Sequence, residues 1–143
     1  MATQQQPKKP LPNPLNATLT KPFWDATKRH ELMVQRCKHC DHTFFYPREA
    51  CPRCLYGQEH LEWVKVSGLG RVYTYTIVHQ PANPAFLNDV PYIFGIIQLN
   101  EGPRIPGNII GLRDPHECHV DMPVKAVFEV ASPDYTLVKW QRA

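Results

Sequence analysis

"CKHCDHTFFYPREACPRC", residues 37–54, contains four of the five cysteines in this chain of 143 residues. The cysteines form two Cys-x-x-Cys pairs, Cys37 with Cys40 and Cys51 with Cys54, and ten residues separate the two pairs. Each pair can form a tight turn that directs two sulfurs at one ion, and two such turns supply the four thiolates of a tetrahedral structural zinc site. The spacing therefore predicts that these four cysteines bind one zinc ion.

The predicted zinc is structural rather than catalytic, because four protein ligands leave no open position for a substrate. Its role would be to fold a segment that is too small to have a hydrophobic core of its own. A rubredoxin-like Fe(Cys)4 electron carrier uses the same geometry, and the spacing does not separate it from a zinc site. A redox-active Cys-x-x-Cys normally lies at the start of a helix in a thioredoxin-type unit, and the sequence predicts no such unit.

The composition is that of a protein with a packed core, since hydrophobic residues make up 43% of the chain and charged residues 20%. No apolar run approaches the ~20 residues that cross a bilayer, and the N-terminus lacks the apolar segment of a signal peptide. We therefore expect a cytoplasmic protein that makes no membrane contact. Thiols stay reduced in that compartment, so disulfides are not expected.

Charge is distributed unevenly along the chain, whose net charge is +3. Residues 1–71 contain 11 Lys and Arg against 6 Asp and Glu, whereas residues 72–143 contain 5 against 7. A zinc ion with four thiolates carries a net charge of about −2, which would offset part of the excess positive charge in the first half. Because nucleic-acid-binding domains concentrate basic residues on one face, nucleic-acid binding is not expected.

The chain divides into three predicted segments. Residues 1–17 are rich in proline and glutamine, a composition typical of a flexible tail. Residues 18–60 contain the cysteine pairs and, before them, a helix predicted to begin with Thr20 as its N-cap and to end near His30. Residues 61–143 are predicted to form a β-barrel.

The barrel prediction depends on five segments of strand-like sequence. Alternating or continuous apolar residues, bounded by Gly, Pro, Asn and Asp, predict strands. The glycines at 68 and 70 predict a bend or bulge in the first strand. Five short strands of this kind predict a small closed barrel of the OB type, in a mainly β protein. The predicted strands are 72–78, 92–99, 104–112, 124–130 and 135–140.

The remaining cysteine and the histidines are expected to be structural or surface residues. Cys118 lies between His116 and His119, but the spacing is not that of the helical metalloprotease motif, so we expect a partly buried loop cysteine. The histidines next to the cysteine pairs and after the first barrel strand are not needed as ligands: His39, His42 and His79. The sequence shows no set of residues that would carry out a reaction alone.

Several motifs together resemble the DUF35 family, whose members have an N-terminal rubredoxin-like zinc ribbon and a C-terminal OB-fold. The resemblance covers about residues 20 to 140, and in it the four cysteines correspond to the zinc ligands. At two positions where the family often has glycine this chain has Asp41 and Asp121, and both can adopt the left-handed conformation that glycine favours. The motifs are "PFWDA" (22–26), "LMVQRCKHC" (32–40), "FYPREACPRC" (45–54), "GRVYTYTIVH" (70–79), "FLNDVPYIFGIIQLNEGPRIPGNIIG" (86–111) and "MPVKAVFEV" (122–130).

The resemblance implies an accessory subunit that has no activity alone and that a hetero-oligomeric acyl-CoA enzyme requires. Members of the family pair with thiolases, with thiolase-like aldolases that shorten steroid side chains, and with enzymes of aromatic catabolism such as benzoylsuccinyl-CoA thiolase. We therefore expect a thiolase-like catalytic partner, or an aldolase, that acts on a 3-oxoacyl-CoA. The implied cofactor is structural Zn²⁺, and a CoA thioester is the expected shared ligand of the complex.

Candidate contact residues follow from this interpretation. Partner contacts are predicted for two aromatic residues of the helix and for two residues of the long loop 81–91. Two residues of the 104–112 hairpin are predicted to lie near the CoA thioester, where an arginine can pair with a phosphate. These residues are Phe23, Trp24, Asn83 and Phe86 for the partner, and Arg104 and Asn108 for CoA.

Three other functions remain open at this point. A nucleic-acid-binding module could use the ribbon and the barrel together, although the charge distribution argues against it. An iron-bound electron carrier would be red, because ferric iron with thiolate ligands absorbs visible light and zinc does not. A free-standing acyl-CoA-binding protein would bind CoA esters without a partner.

Overall fold

The structure is a computed structural model that describes residues 7–143. This part of the chain contains one α-helix and eight strands in two sheets, so the mainly β class predicted from the sequence is confirmed. The elements are α1 (Ala17–Lys28), β1 (Leu32–Cys37), β2 (Thr43–Phe44), β3 (Leu61–Val66), β4 (Leu69–Val78), β5 (Tyr92–Leu99), β6 (Arg104–Ile110), β7 (Pro123–Val130) and β8 (Thr136–Arg142). Over residues 7–143, no helix is both long and apolar enough to span a membrane.

The helix α1 begins one turn earlier than predicted. Asn16 is its N-cap, and the Asn16 side chain accepts a hydrogen bond from the N–H of Leu19 at 3.1 Å. The predicted cap, Thr20, is wrong: it lies inside the helix, and its hydroxyl donates to the carbonyl of Asn16 at 3.0 Å. Both residue types cap helices well, and the earlier one is used because the chain is already helical at Ala17.

The segment before the helix runs along the protein's own surface. Of the predicted tail, residues 1–6 lie outside the described part of the chain, and residues 7–14 have no regular secondary structure. The Lys9 ammonium lies 2.6 Å from a carboxylate oxygen of Asp89 and 5.8 Å from the ring centroid of Phe86, in the long barrel loop. These contacts join the tail to the loop that was predicted to face a partner.

The first sheet has three antiparallel strands in the order β2-β1-β3. The β1–β3 ladder extends over six pairs, from Leu32 with Val66 to Cys37 with Leu61. β3 therefore belongs to the sheet of the cysteine segment. The chain passes into the second sheet only after Val66, through Ser67 and the left-handed Gly68.

The second sheet is a closed barrel with the strand order β4-β5-β6-β8-β7, in which β7 pairs with β4 to complete the circle. The contact between β6 and β8 is parallel, and the other pairs are antiparallel. The five-stranded OB-type barrel predicted from the sequence is confirmed. Closing the sheet removes the exposed edges that an open five-stranded sheet would present.

One hydrophobic core extends through both sheets. Residues Phe23, Leu32, Val34 and Val66 of the first sheet and its helix belong to the same buried cluster as the barrel interior. The barrel contributes Val72, Ile93, Ile97, Leu99, Ile105, Ile109, Val124 and the fully buried Trp140. Because apolar burial stabilises in proportion to the area removed from water, this shared core holds the ribbon sheet against the barrel.

The two aspartates that replace the family's glycines behave as expected. Asp41 has φ +65° and Asp121 has φ +67°, so both adopt the left-handed conformation. The side-chain oxygens of Asp can bond locally, which makes this conformation less costly for Asp than for most residues. The same conformation at Leu55, with φ +67°, was not predicted.

At Gly70 the barrel has no room for a side chain. A Cβ placed there would lie 2.5 Å from the carbonyl oxygen of Gln98 and 2.9 Å from a methyl carbon of Ile97. The neighbour is backbone in the paired strand, which cannot rotate away as a side chain can. The strand register also shifts between Val72 and Thr74, so the predicted irregularity of this strand is present as a β-bulge at Tyr73.

We expect Gly70→Ala to lower the free energy of unfolding by about 1–3 kcal/mol, because the added methyl group forces β4 and β5 apart. Urea titration followed by tryptophan fluorescence measures this change. Gly57→Ala is the matched control, since Gly57 has φ −74° and its added Cβ would meet only the mobile carboxylate of Glu59. Equal stability of the two variants would contradict the close-approach argument.

Candidate functional site

The cysteine pairs form two turns with the same backbone, the first knuckle (residues 37–42) and the second knuckle (residues 51–56). In the first, the N–H of Asp41 donates to the carbonyl of Cys37 at 2.8 Å, and the N–H of Cys37 donates to the carbonyl of His42 at 2.9 Å. The second knuckle repeats both hydrogen bonds at the corresponding positions, each at 2.9 Å. This repetition points both pairs of sulfurs at one centre.

The four predicted ligands are brought together. The sulfurs of Cys37, Cys40, Cys51 and Cys54 all lie within 4.8 Å of one another. Two of the separations, from Cys37 to Cys54 and from Cys40 to Cys51, are 3.6 Å. A tetrahedron with arms of ~2.3 Å has edges of about 3.8 Å, so the sulfur positions fit a zinc ion with four thiolates. Four filled positions make this a structural site rather than a catalytic one.

The acidity of the four thiols is uneven. Burial acts to raise the pKa of Cys51, but the backbone N–H groups of Cys54 and Arg53 and the neighbouring thiols lower it to about 6. The backbone N–H of Tyr56 acts to lower the pKa of Cys54, but burial and the neighbouring thiols raise it to about 12. One thiolate therefore forms readily while the last is opposed by its neighbours, and a bound divalent cation removes that opposition.

The histidines near the site pack on aromatic rings instead of joining the ligand set. His39 lies against Tyr56 with ring centroids 3.8 Å apart, and His42 stacks on Phe44 at 5.8 Å. Burial, and to a smaller extent the charge of Arg53, lower the pKa of His42, which favours its neutral form. Within residues 7–143 the cysteines form the one cluster of potential ligand atoms, and no histidine belongs to it.

Cys118 is a core residue. It is 2% exposed, and burial raises the pKa of its thiol, which makes the thiolate unfavourable. The neighbouring His119 is exposed, and its ring Nδ1 lies 3.1 Å from the carbonyl oxygen of Glu117. A buried, protonated thiol is a poor nucleophile and a poor metal ligand.

The two residues predicted to lie near CoA share the outer face of the barrel. Arg104 and Asn108 are both on β6 with side chains on the same side, about 13 Å apart along the strand. The Arg104 guanidinium lies 3.8 Å from the ring centroid of Tyr73, and its Nε donates to Gln98 at 2.9 Å. Asn108 donates from Nδ2 to the carbonyl of Ile93 at 3.2 Å.

Two exposed aromatic residues on this face were not singled out from the sequence. Tyr73 is 48% exposed and supports Arg104, and Phe94, 44% exposed, lies opposite Asn108 in the β5–β6 register. Tyr73 is exposed in step with Leu69 and Arg71, and the register shift after Val72 reverses which side of β4 faces the core beyond it.

The predicted partner contacts differ in exposure. Phe23 is 8% exposed, packs edge-on against Trp24 at 5.1 Å and lines the same groove as Trp24, so only a small part of its ring is available for the contact predicted for it. Trp24 packs on Tyr135 at 5.1 Å and lines an open apolar groove of about 380 Å³ together with Tyr46.

In the long loop, Asn83 caps the short 3-10 turn Pro84–Asp89. Its side-chain oxygen accepts a hydrogen bond from the N–H of Ala85 at 2.9 Å. Phe86 is half-buried under the Lys9 side chain. Both residues therefore have a role within the chain itself, whatever else they contact.

We expect Cys51→Ser to lose zinc and to melt at a lower temperature, because three thiolates and a hydroxyl bind the ion far more weakly. Metal analysis of the purified protein should find about one zinc per wild-type chain and much less for the variant. Cys118→Ala is the control, which removes a buried cysteine outside the site and should keep its zinc. A Cys51→Ser protein with full zinc content and wild-type melting would contradict the ligand assignment.

Comparison with known proteins identifies both parts of the chain. Residues 24–60 match the rubredoxin-like zinc ribbon domain of ChsH2, and residues 63–129 match the C-terminal OB-fold domain of ChsH2. A DUF35 domain-containing scaffold protein of Methanocaldococcus jannaschii is 41% identical over 107 residues, which are 75% of this chain and 74% of that protein.

Two further relatives are named for enzymes. The probable enoyl-CoA hydratase alpha subunit of Thermomonospora curvata is 35% identical over 136 residues, and this chain spans 94% of its own length but only 41% of that subunit. A solved structure described as the Ltp2-ChsH2(DUF35) aldolase superposes with a TM-score of 0.75 at 32% identity. It covers 94% of this chain and 98% of the matched chain. The chain therefore belongs to the DUF35 family, with a ChsH2-type zinc ribbon followed by an OB-fold barrel.

Proposed function

We propose that this chain is a non-catalytic scaffold subunit of a hetero-oligomeric acyl-CoA enzyme. The observation that carries the proposal is its superposition, over 94% of its length, on a chain of the Ltp2-ChsH2(DUF35) aldolase, an enzyme whose name joins a DUF35 protein to a second component. The hydratase subunit among the relatives is also named for an acyl-CoA reaction. We take a CoA thioester as the substrate class of the complex.

The chain's own chemistry supports a role without catalysis. The one cluster of ligand atoms in residues 7–143 is the cysteine site, in which all four positions are taken by protein sulfurs. The fifth cysteine is buried and protonated. A catalytic partner would therefore supply the nucleophile and the acid–base groups, as a thiolase-type enzyme does with a cysteine and histidines of its own.

We propose a thiolase-type catalytic partner that acts on a 3-oxoacyl-CoA. Such enzymes make or break a carbon–carbon bond next to the thioester, and thiolase-like aldolases belong to the same class. The names of the relatives include an aldolase and a hydratase, so the identity of the partner's reaction is the first result to obtain from the isolated complex. The partner's active site would then indicate the acyl group of the substrate.

The outer face of the barrel supports a contact with the nucleotide part of CoA. Among residues 7–143, Arg104 has no carboxylate partner, so guanidinium N–H groups remain available for a phosphate. Stacking on Tyr73 and the hydrogen bond to Gln98 hold the guanidinium in place, which reduces the entropy lost on binding. The exposed ring of Phe94, beside Asn108, offers a surface for a planar base.

The groove beside Trp24 supports a contact with the partner or with an acyl group. Its walls are apolar and aromatic, and Tyr46 at its edge is 56% exposed. Asn83 and Phe86 of the long barrel loop are the other proposed partner contacts, next to Leu87, which is also 56% exposed. An exposed apolar surface of this kind is typical of a protein that binds another chain.

We expect the tagged chain, isolated from its own host, to co-purify with a thiolase-type chain and with about one zinc per small subunit. Intact-complex mass spectrometry and metal analysis of the same sample measure both quantities. A lone, zinc-loaded monomer would contradict the subunit proposal and favour a free-standing ligand binder. A red, iron-containing monomer would favour an electron carrier.

We expect Arg104→Ala to weaken CoA binding by the assembled complex about tenfold or more, because a charge-assisted contact with a phosphate is lost. Arg104→Lys should recover only part of the affinity, since lysine keeps the charge but not the planar stack on Tyr73. Isothermal titration with CoA measures the affinity. Arg113→Ala is the control, an exposed arginine in another loop; equal effects of the two alanine variants would remove the role assigned to Arg104.

A further inference from the structure

The two zinc knuckles place different residues at the same backbone position. Asp41 follows the second cysteine of the first knuckle and Leu55 follows the second cysteine of the second knuckle. Both have the left-handed conformation, with φ +65° and +67°, and both donate their N–H to the carbonyl of the first cysteine of the pair. The molecule thus contains its own comparison of two side chains in one setting.

At the first knuckle, Asp41 suits the left-handed position that it occupies. Aspartate tolerates the left-handed conformation, and its carboxylate is solvated as well as bonded. Arg36 donates from Nε to Oδ1 of Asp41 at 2.6 Å and forms an ion pair with the same oxygen. The first knuckle is therefore complete within the isolated chain.

At the second knuckle, Leu55 does not suit the left-handed position that it occupies. Leucine is strained in the left-handed conformation, because its Cβ crowds the following carbonyl oxygen. The side chain of Leu55 is also 78% exposed, so it gains little from burial. Strain and exposure both act against the isolated chain, and a residue held in such a conformation points to a function outside the fold.

The neighbouring residue makes a rigid surface beside Leu55. Tyr56 is 43% exposed, and its ring packs edge-on against two imidazoles. The ring of His39 lies 3.8 Å away and that of His60 lies 4.7 Å away. A fixed aromatic ring loses little conformational entropy on binding, which makes Leu55 and Tyr56, called here the knuckle tip, a pre-organised apolar contact.

Each knuckle also contains one exposed cation. Lys38 and Arg53 are exposed, and neither has a carboxylate partner among residues 7–143. A second copy of this chain packed tip to tip would bring Lys38 and Arg53 against their own equivalents and against only one nearby carboxylate, Glu59, which already lies 3.7 Å from the imidazole of His60, so the charges do not match. Charge complementarity favours a different protein that surrounds an apolar pocket with carboxylates.

We propose that the knuckle tip inserts into an apolar pocket of the catalytic subunit, whose rim carries carboxylates that face Lys38 and Arg53. This inference rests on the proposed function, since it names the surface by which the scaffold subunit holds its partner. Leu55 is the anchor of the contact, and burial in the pocket compensates for its strained, exposed state in the free chain.

The first test needs only this chain. Leu55→Asn replaces the strained leucine with a residue that tolerates the left-handed conformation, so the melting temperature should stay the same or rise, with zinc content unchanged. Asp41→Leu is the reciprocal change in the first knuckle and should lower the melting temperature. A lower melting temperature for Leu55→Asn would mean that Leu55 serves the isolated fold, and it would overturn the inference.

The second test uses the complex. The acyl-CoA enzyme chain that co-purifies with this protein is identified and produced in purified form, and its affinity for each variant is measured by surface plasmon resonance. Leu55→Asn should raise the Kd about tenfold or more. Lys38→Glu should slow association most strongly at low salt. Val130→Asn is the control, which removes another exposed apolar side chain, 67% exposed, and should leave the Kd unchanged.

The outcomes separate the two proposals. A tenfold rise in the Kd for Leu55→Asn, with no change for the control Val130→Asn, supports the knuckle tip as the interface. A complex that binds Leu55→Asn as tightly as the wild type overturns the inference and leaves the subunit proposal intact. If no acyl-CoA enzyme chain co-purifies with the wild type, the subunit proposal fails, and the partner assigned to the knuckle tip is overturned with it.

Discussion

Four thiolates around one ion determine the shape of the N-terminal half of this protein. The segment from Cys37 to Cys54 contributes few apolar side chains to the core, and its strand β2 has only two residues. Without the ion, the pKa of Cys54 is raised to about 12, because burial and the neighbouring thiols outweigh the backbone N–H of Tyr56. When the ion is bound, both knuckles become fixed turns, and together they hold one end of the sheet formed by β1, β2 and β3.

The barrel depends on this metal-bound end through the chain connection and the shared core. β3 belongs to the ribbon sheet, and the chain turns directly from it at Gly68 into β4 of the barrel. The helix α1 packs between the two parts, where Trp24 lies against Tyr135, and His30, just after the helix, stacks on Phe128 at 5.3 Å. The knuckles and the outer face of the barrel are therefore held in a fixed relation, as a scaffold subunit requires.

Much of this arrangement could be predicted from the sequence, because its causes are local. The spacing of the cysteines defines the metal site, the alternation of apolar residues defines the barrel strands, and aspartate suits the left-handed turn at Asp41. The rest depends on contacts between distant residues. β3 pairs with β1 across the whole cysteine segment, and a pairing between segments so far apart has no local signal in the sequence. Leucine at position 55 gives no local signal for its left-handed conformation, and the bulge at Tyr73 depends on the register with β5.

X-ray absorption spectroscopy of the purified wild-type protein observes the metal and its ligands directly. We expect absorption at the zinc edge and a first shell of four sulfurs at ~2.3 Å, with no nitrogen or oxygen ligand. Such a shell has no position for a substrate and makes the ion a scaffold. Absorption at the iron edge, or a zinc shell that includes a histidine nitrogen or a water oxygen, would contradict this account.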